Sequence, residues 1–293
     1  MNDKENLTLE EIFNLAEQNH KKNNYKIAQN FYEDVLNRDS NYFAAHNNLG
    51  ILFNQIGEDH KAIICFKKAI EINPNYESAH NNLGFLFSKQ EKHQKAIICF
   101  KKAIEINPNY ADAFYNLGNI HKKIKEFKNA INFYEKTIQI NPKYLAAYYN
   151  LGNTFRAIEE RQKAINCYQK VIQINPNYID AYNNLGSVLN ELGENHKAIN
   201  FYEKAIQINP KYVDAYNNLG NTFKELGEHQ KAINFYEKAI EINPENLISY
   251  WHLMNTFPVI YQNFDEINIY NKRFENSINK INYLLDTKFK YSK

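Results

Sequence analysis

The apolar residues of this chain recur with the spacing of amphipathic helices, and the pattern itself returns every 34 residues. Its clearest copy, residues 213–246, reads VDAYNNLGNTFKELGEHQKAINFYEKAIEINPEN. This copy holds two helix-like stretches, with Gly227 between them and Pro244 after the second. A fixed period of this length is the signature of a repeat architecture. Five further copies begin at Phe43, Glu77, Ala111, Leu145 and Ile179.

Five positions, counted from the start of each copy, are constant in kind. Leucine fills position 7, glycine position 8, alanine position 20, an aromatic residue position 24 and proline position 32. Glycine within a helix costs about 1 kcal/mol relative to alanine. We therefore expect the second helix of each copy to approach the first at position 8. Proline at position 32 ends the second helix.

This combination of residues resembles the tetratricopeptide repeat (TPR), a helix–turn–helix unit. The resemblance implies an all-α fold. It predicts an α-solenoid in which stacked helix pairs form a right-handed superhelix.

We divide the chain into a disordered lead-in (1–8), seven repeats and a C-terminal segment (247–293). Thr8 and Glu11 predict a capping box at the start of the first repeat. The C-terminal segment begins as a partial repeat that Pro258 ends, and a capping helix and a frayed basic tail follow it. The repeats are 9–42, 43–76, 77–110, 111–144, 145–178, 179–212 and 213–246. The capping helix is expected from Asn263, with an apolar stripe of Ile267, Tyr270, Phe274, Ile278, Ile281 and Leu285.

The composition favours a soluble, cytoplasmic protein without an enzymatic site. A net charge of +2, with both signs mixed, gives no reason to expect nucleic acid or an anionic membrane as a partner. We find no secretory signal, membrane-length apolar run or catalytic motif, and expect no cofactor. No metal is expected either, because the histidines and cysteines lack ligand spacing. Cys65, Cys99 and Cys167 stand at position 23, where other repeats carry phenylalanine, so we interpret them as packing residues.

The candidate binding residues form a polar stripe on the first helix of each repeat. Positions 2, 6, 9 and 13 share one helical face, separate from the packing positions 4, 7, 8 and 11. Asparagine fills position 6 in all six regular repeats and recurs at position 9, while aspartate recurs at position 2. The predicted peptide-binding residues are Asn48, Asn82, Asn116, Asn150, Asn184, Asn218, Asn119, Asn153, Asn221, Asp112, Asp180 and Asp214.

An asparagine amide both donates and accepts, so it can pair with a peptide backbone. Neighbouring first helices should lie roughly 10 Å apart, and an extended peptide advances about 3.3 Å per residue. One asparagine would therefore hold about every third peptide residue, and the aspartates would favour nearby Lys, Arg, Ser or Thr. The alternative is a merely solvated surface, because asparagine is frequent throughout and also fills position 31 of all six regular repeats. Lysine and arginine are absent from positions 2 and 6, unlike in TPR proteins that clamp a terminal carboxylate.

Within this superfamily, the segment DAYNNLGN resembles the N-terminal repeats of protein O-linked N-acetylglucosamine transferases. The C-terminal segment resembles the one that follows the repeats in SPINDLY-type relatives, through Pro258, Tyr261, 265–267, Arg273 and Phe274. The resemblance implies an asparagine ladder that holds extended substrate segments. The family's catalytic domain has no counterpart in these residues, so we expect no enzyme activity.

Three functions remain open from the sequence. The first is an interaction module that binds extended protein segments. The second is a truncated or split transferase whose repeats recognise substrate for a catalytic part encoded elsewhere. The third is a scaffold that self-associates, as a homo-oligomer, through its terminal repeats.

Overall fold

The computed structural model describes residues 7–257 and 264–290, with side chains described as far as residue 287. These residues form sixteen α-helices and no strand. The first helices of the repeats are α1 (Leu9–Lys21), α3 (Phe43–Gln55), α5 (Glu77–Lys89), α7 (Ala111–Lys123), α9 (Leu145–Ala157), α11 (Ile179–Glu191) and α13 (Val213–Glu225). The second helices are α2 (Tyr25–Arg38), α4 (Asp59–Ile72), α6 (His93–Ile106), α8 (Phe127–Ile140), α10 (Arg161–Ile174), α12 (Asn195–Ile208) and α14 (His229–Ile242). Two more helices, α15 (Leu247–Met254) and α16 (Phe264–Lys290), complete the order.

The chain divides into two compact units, residues 1–147 and 148–293. Within each unit, the two helices of a repeat pack on each other, and each second helix packs on the next first helix. First helices of consecutive repeats also touch each other directly; α3 contacts α5, and α11 contacts α13. This packing of consecutive helix pairs is that of the predicted α-solenoid. Its right-handed sense stays a prediction.

The capping box at the N-terminus is present as predicted. The Thr8 backbone N–H donates to Glu11 Oε2 at 2.7 Å, and the Glu11 N–H donates to Thr8 Oγ1 at 3.3 Å. These hydrogen bonds hold the pKa of the Glu11 carboxyl below its usual value. Of the predicted disordered lead-in (1–8), residues 1–6 lie outside the described residues, whereas Leu7 packs against the core of the first unit and Thr8 caps α1.

The asparagine at position 31 has a structural role that composition alone does not explain. Each one caps its second helix in an extended conformation just before the proline, which disfavours the helical region for its predecessor. Its Oδ1 accepts the backbone N–H two residues ahead at 2.9–3.1 Å in all six regular repeats. Such an Asx-turn fixes the direction of the link to the next repeat.

The turn between the two helices requires a left-handed residue at position 15. Gly57, Gly193 and Gly227 take this conformation, with φ of 75–83°. Four repeats place another residue there at φ of 59–63°, namely Asn23, Glu91, Lys125 and Glu159. The turn geometry therefore persists where glycine is missing.

The glycine at position 8 makes room for an aromatic ring. A Cβ built on Gly118 would lie 2.6 Å from Tyr134 Cε1, much closer than two carbon atoms can approach. The other regular repeats place the position-24 ring in the same way, from Phe66 to Tyr236. The sequence predicted that the second helix approaches the first at position 8. The structure shows that the aromatic ring at position 24 of the second helix makes this contact.

The C-terminal helix α16 packs on α15, and Tyr270 joins a core cluster with Ile233, Tyr236 and Leu253. The predicted apolar stripe is only partly correct in its second half, because Ile278 and Leu285 are exposed while Ile281 is half-buried. The buried residues are Tyr270, Ser277 and Leu284, spaced by seven. Seven residues fall about 20° short of two full turns, so the packed face drifts gradually away from a stripe predicted at 3.6 residues per turn.

The tail is also more regular than predicted. The helix α16 continues through Asp286, where fraying was expected, to Lys290. The predicted end of the partial repeat at Pro258 and the predicted helix start at Asn263 lie outside the described residues.

Candidate functional site

We call the surface formed by positions 2, 5, 6, 9, 12 and 13 of the first helices the first-helix face. The six asparagines at position 6 are all half-buried on it, neither turned out to solvent nor sealed between helix pairs. Position 5 belongs to this face because its side chains meet position 6 of the next repeat, a pairing that the helical pattern did not indicate.

The position-6 amides donate to the preceding repeat. Asn82 Nδ2 donates to Asn47 Oδ1 and Asn116 Nδ2 to Asn81 Oδ1, both at 3.0 Å, and Asn218 Nδ2 donates to Asn183 Oδ1 at 2.8 Å. Asn184 Nδ2 donates to the Tyr149 hydroxyl and to Asn153 Oδ1, each at 3.1 Å. In the first regular repeat, Asn48 Nδ2 donates to Glu17 Oε1 at 3.0 Å. Asn150 occupies the same position in its own repeat.

These bonds change the predicted chemistry of the stripe. An N–H of each of these amides is engaged within the protein, so it is less available to a peptide carbonyl. Among the described residues, no protein donor reaches the Oδ1 atoms of Asn82, Asn116, Asn184 and Asn218, and these atoms are not sealed from solvent. The inter-repeat bonds therefore fix the amide planes and leave a row of acceptors within each unit.

The position-9 asparagines hold the two helices of their own repeat together. Asn119 Oδ1 accepts from the Tyr134 hydroxyl at 2.8 Å, and Asn221 Oδ1 accepts from Tyr236 at 2.8 Å. Asn153 Oδ1 accepts from Tyr168 at 2.7 Å. Burial raises the pKa of all three tyrosines above the usual value. The predicted peptide-binding oxygens at this position are thus occupied by a structural bond.

The position-2 aspartates bind tyrosines in the same way. Asp112 Oδ1 accepts from Tyr144 and Asp180 Oδ1 from Tyr212, both at 2.7 Å. Burial, and then these carboxylates, raise the pKa of both hydroxyls. Asp214 is exposed, and its repeat has Asn246 in place of the tyrosine.

A groove of about 550 Å³ follows the first-helix face of the second unit. Asn218 and Asn221 line it together with charged residues at position 13, which the sequence placed on this face, and at position 12, which it did not. Arg156 Nε donates to Glu191 at 2.9 Å, and Lys224 Nζ donates to the Asn255 carbonyl at 2.8 Å. The groove therefore carries both signs of charge.

His252 stands in this groove at position 6 of the partial repeat. Its ring stacks on Tyr236 with centroids 5.4 Å apart. Burial, and then the Lys224 charge, lower the pKa of the imidazole. Asn217 Oδ1 is buried and has no hydrogen-bond partner among the described residues. In a further regular repeat, the asparagine at position 6 would donate to this atom.

The cysteines are packing residues, as predicted. Cys65 and Cys167 are buried and Cys99 is half-buried, and all three are free thiols. Burial raises the pKa of Cys65 and Cys99 to about 11. In the described part of the chain, no three His, Cys, Asp or Glu side chains are grouped to hold a metal ion. No helix between residues 7 and 257 or 264 and 290 is long and apolar enough to span a membrane.

In each regular repeat the aromatic ring of the second helix packs on the glycine at position 8 of the first helix. Helix pairs of this kind, stacked one after another, define an α-solenoid of helix–turn–helix repeats. Models of the tetratricopeptide repeat match 52–91, 78–110, 111–144, 152–193 and 177–245, which together span more than half of the chain. The chain belongs to the tetratricopeptide repeat family.

Solved structures agree with this assignment. MamA is 31% identical over 58% of this chain and 92% of its own, with a TM-score of 0.54. YrrB, a TPR protein with an unusual peptide-binding site, is 26% identical over 63% of this chain and 95% of its own, with a TM-score of 0.55. PilF of Pseudomonas aeruginosa, 20% identical over 73% of this chain and 96% of its own (TM-score 0.62), shows the fold alone. Among curated proteins no match was found.

Proposed function

We propose that this protein is an interaction module that binds extended segments of partner proteins along its first-helix face. The observation that carries the proposal is the row of open Oδ1 atoms at position 6. Their amide planes are fixed by bonds to the preceding repeat, so they need no ordering when a peptide arrives. An acceptor that is already oriented loses little conformational entropy on binding.

The peptide would donate its backbone N–H groups to these oxygens. Backbone recognition tolerates many side chains, and the mixed charges of the second unit's groove add no strong preference for one sign. TPR repeats generally bind other proteins or peptides, and the similar YrrB has a peptide-binding site.

The test replaces Asn82, Asn116, Asn184 and Asn218 by alanine in the full chain. The matched control replaces Asn132, Asn166, Asn200 and Asn234, which are exposed at position 22 of the second helices. Capture of extended peptides is measured on an array of random-sequence peptides, with helicity followed by circular dichroism. We expect the first variant to lose most capture and the control to keep it.

The four substitutions also remove inter-repeat bonds, each contributing about 1 kcal/mol to stability. Binding is therefore compared well below the melting temperature of both variants. Equal capture by the two folded variants would contradict the proposal.

Neither of the other two functions gains support from the comparisons. Part of the resemblance to SPINDLY-type proteins rests on Pro258 and Tyr261, which lie outside the described residues. Purified chain incubated with UDP-GlcNAc and a substrate protein should show no turnover under the present proposal.

Self-association has one structural observation in its favour, since α15 exposes Ile248 and Trp251 by 61% and 57%. Light scattering of the wild type and of Trp251→Ala tests it, because a complex held by this surface should dissociate in the variant. The cytoplasmic location stays a prediction.

A further inference from the structure

The first-helix face changes character within the first unit. Position 9 is Ile51 in α3 and Phe85 in α5, where the later repeats have Asn119, Asn153, Ser187 and Asn221. Phe85 is 47% exposed, and Ile51 is half-buried beside a cavity of about 330 Å³ that Asn48, Tyr32 and Gln55 also line. Two consecutive first helices, which touch each other, thus place a large apolar side chain one turn after a position-6 asparagine.

Position 24 of the same repeat explains why position 9 can vary. The repeats with Asn119, Asn153, Ser187 and Asn221 have a tyrosine at position 24 whose hydroxyl donates to position 9. The repeats with Ile51 and Phe85 instead have Phe66 and Phe100, which have no hydroxyl to satisfy. In these two repeats, position 9 is therefore released from the structural bond.

The fold does not need a large apolar group at position 9 of α5, whereas Ile51 of α3 packs partly against the core of the first unit. Phe85 lies outside the buried core of the first unit, and nearly half of its side chain faces solvent. The open Oδ1 of Asn82 lies one turn away on the same helix. This side-chain oxygen can accept a peptide N–H, and the exposed ring beside it can contact an apolar side chain. An extended peptide presents a backbone N–H and a side chain close together, so it fits this arrangement.

We propose that segments bound by the first unit carry a large apolar side chain that packs against Ile51 and Phe85. Asn82 and Asn116 accept the peptide N–H groups, and the apolar pair selects for Leu, Ile, Met or Phe at one peptide position. The second unit, with amide or hydroxyl groups at position 9, lacks this selection. This inference rests on the function proposed above and names the chemistry of its partner.

The test exchanges single residues for those that other repeats carry at the same position. Phe85→Asn places on α5 the residue found at position 9 of three later repeats. The matched control is Ile98→Asn on α6, which removes a 60% exposed apolar side chain from position 22, where four later repeats carry asparagine. Both variants and the wild type, as full chains, are tested on an array of random-sequence peptides.

We expect the wild type and Ile98→Asn to enrich peptides with a large apolar residue at one position. Phe85→Asn should capture peptides without that enrichment. For the most enriched peptide, labelled with fluorescein, replacing its apolar residue by alanine should weaken binding to the wild type by about tenfold or more. The same replacement should change binding to Phe85→Asn by less than about threefold.

Capture with no apolar enrichment in the wild type would overturn this inference and leave the proposed function standing. Undiminished enrichment by Phe85→Asn would do the same. Absence of capture by every chain, with helicity intact, would overturn the proposed function together with the inference. Thermal melting followed by circular dichroism shows whether each variant is folded.

Discussion

At the scale of single residues, asparagine has three structural uses in this protein, and the neighbouring group decides which. At position 31 it closes a turn, at position 9 it accepts from a tyrosine, and at positions 5 and 6 it joins consecutive repeats. At position 4, histidine in some repeats and tyrosine in others contact the same backbone carbonyl, that of position 32 in the preceding repeat. His80 Nε2 lies 3.0 Å from the Pro74 carbonyl, and the Tyr182 hydroxyl donates to the Pro176 carbonyl at 3.1 Å.

The bond between Asn119 and Tyr134 predicts unequal costs for its two partners. Asn119→Ala leaves the fully buried Tyr134 hydroxyl without its acceptor and should destabilise by about 1–3 kcal/mol. Tyr134→Phe leaves only a half-buried, solvent-reachable amide and should cost about 1 kcal/mol or less. The double variant should resemble Tyr134→Phe. Urea denaturation of the three variants measures these differences, and additive costs would show that the two side chains are not coupled.

The turn residue Lys125 is expected to be a site of strain. Its φ is 63°, a left-handed conformation that disfavours side chains with a Cβ by about 1–2 kcal/mol. Lys125→Gly should therefore raise the unfolding free energy by about 1 kcal/mol. The control, Lys101→Gly within α6, should lower it by about the same amount. A loss of stability in Lys125→Gly would contradict the assigned turn geometry.

At the scale of helices, the sequence predicts most of this fold because repetition makes the signal redundant. The glycine at position 8, the alanine at position 20 and the proline at position 32 recur six times, so the helix pairs and their turns were predictable. The bond from Asn82 to Asn47 was not, because it joins repeats and depends on how consecutive pairs stack. For the candidate site, the helical face that carries the asparagines was predictable from the sequence. The hydrogen bond from the Tyr134 hydroxyl to Asn119 was recognised only in the structure. A check of position 9 against position 24 would have revealed that pairing from sequence alone.

The helix α16 has no second copy, and its register was the least accurate prediction. Adjacent leucines offer a direct test, because Leu284 is 5% exposed and Leu285 is 38% exposed. Leu284→Ala should cost about 2–5 kcal/mol through the cavity it leaves. Leu285→Ala should cost less than about 1 kcal/mol. Thermal unfolding compares the two, and the reverse order would favour the stripe that helical spacing predicts.

At the scale of the whole molecule, stability depends on many similar local contacts. Each unit has its own core clusters, and in repeat proteins each repeat depends mainly on its immediate neighbours. The largest buried side chains include five tyrosines at position 24, namely Tyr32, Tyr134, Tyr168, Tyr202 and Tyr236. Burial raises the pKa of each of them above the usual value of 10.

These tyrosines predict a shared sensitivity to alkali. A group whose pKa is higher in the folded chain favours folding fully below its unfolded pKa and progressively less above it. Stability should therefore be insensitive to these groups below about pH 10 and should fall as the pH rises further, by up to about 1.4 kcal/mol per pH unit for each tyrosine. Tyr202→Phe should lessen this fall at little cost to the fold, because the Tyr202 hydroxyl has only a long bond, 3.4 Å, to Ser187. Melting temperatures measured between pH 8 and 11.5 test the prediction, with Tyr283→Phe, a change at a 61% exposed residue, as the control. If the two variants show the same pH dependence, the buried tyrosines do not account for the alkaline transition.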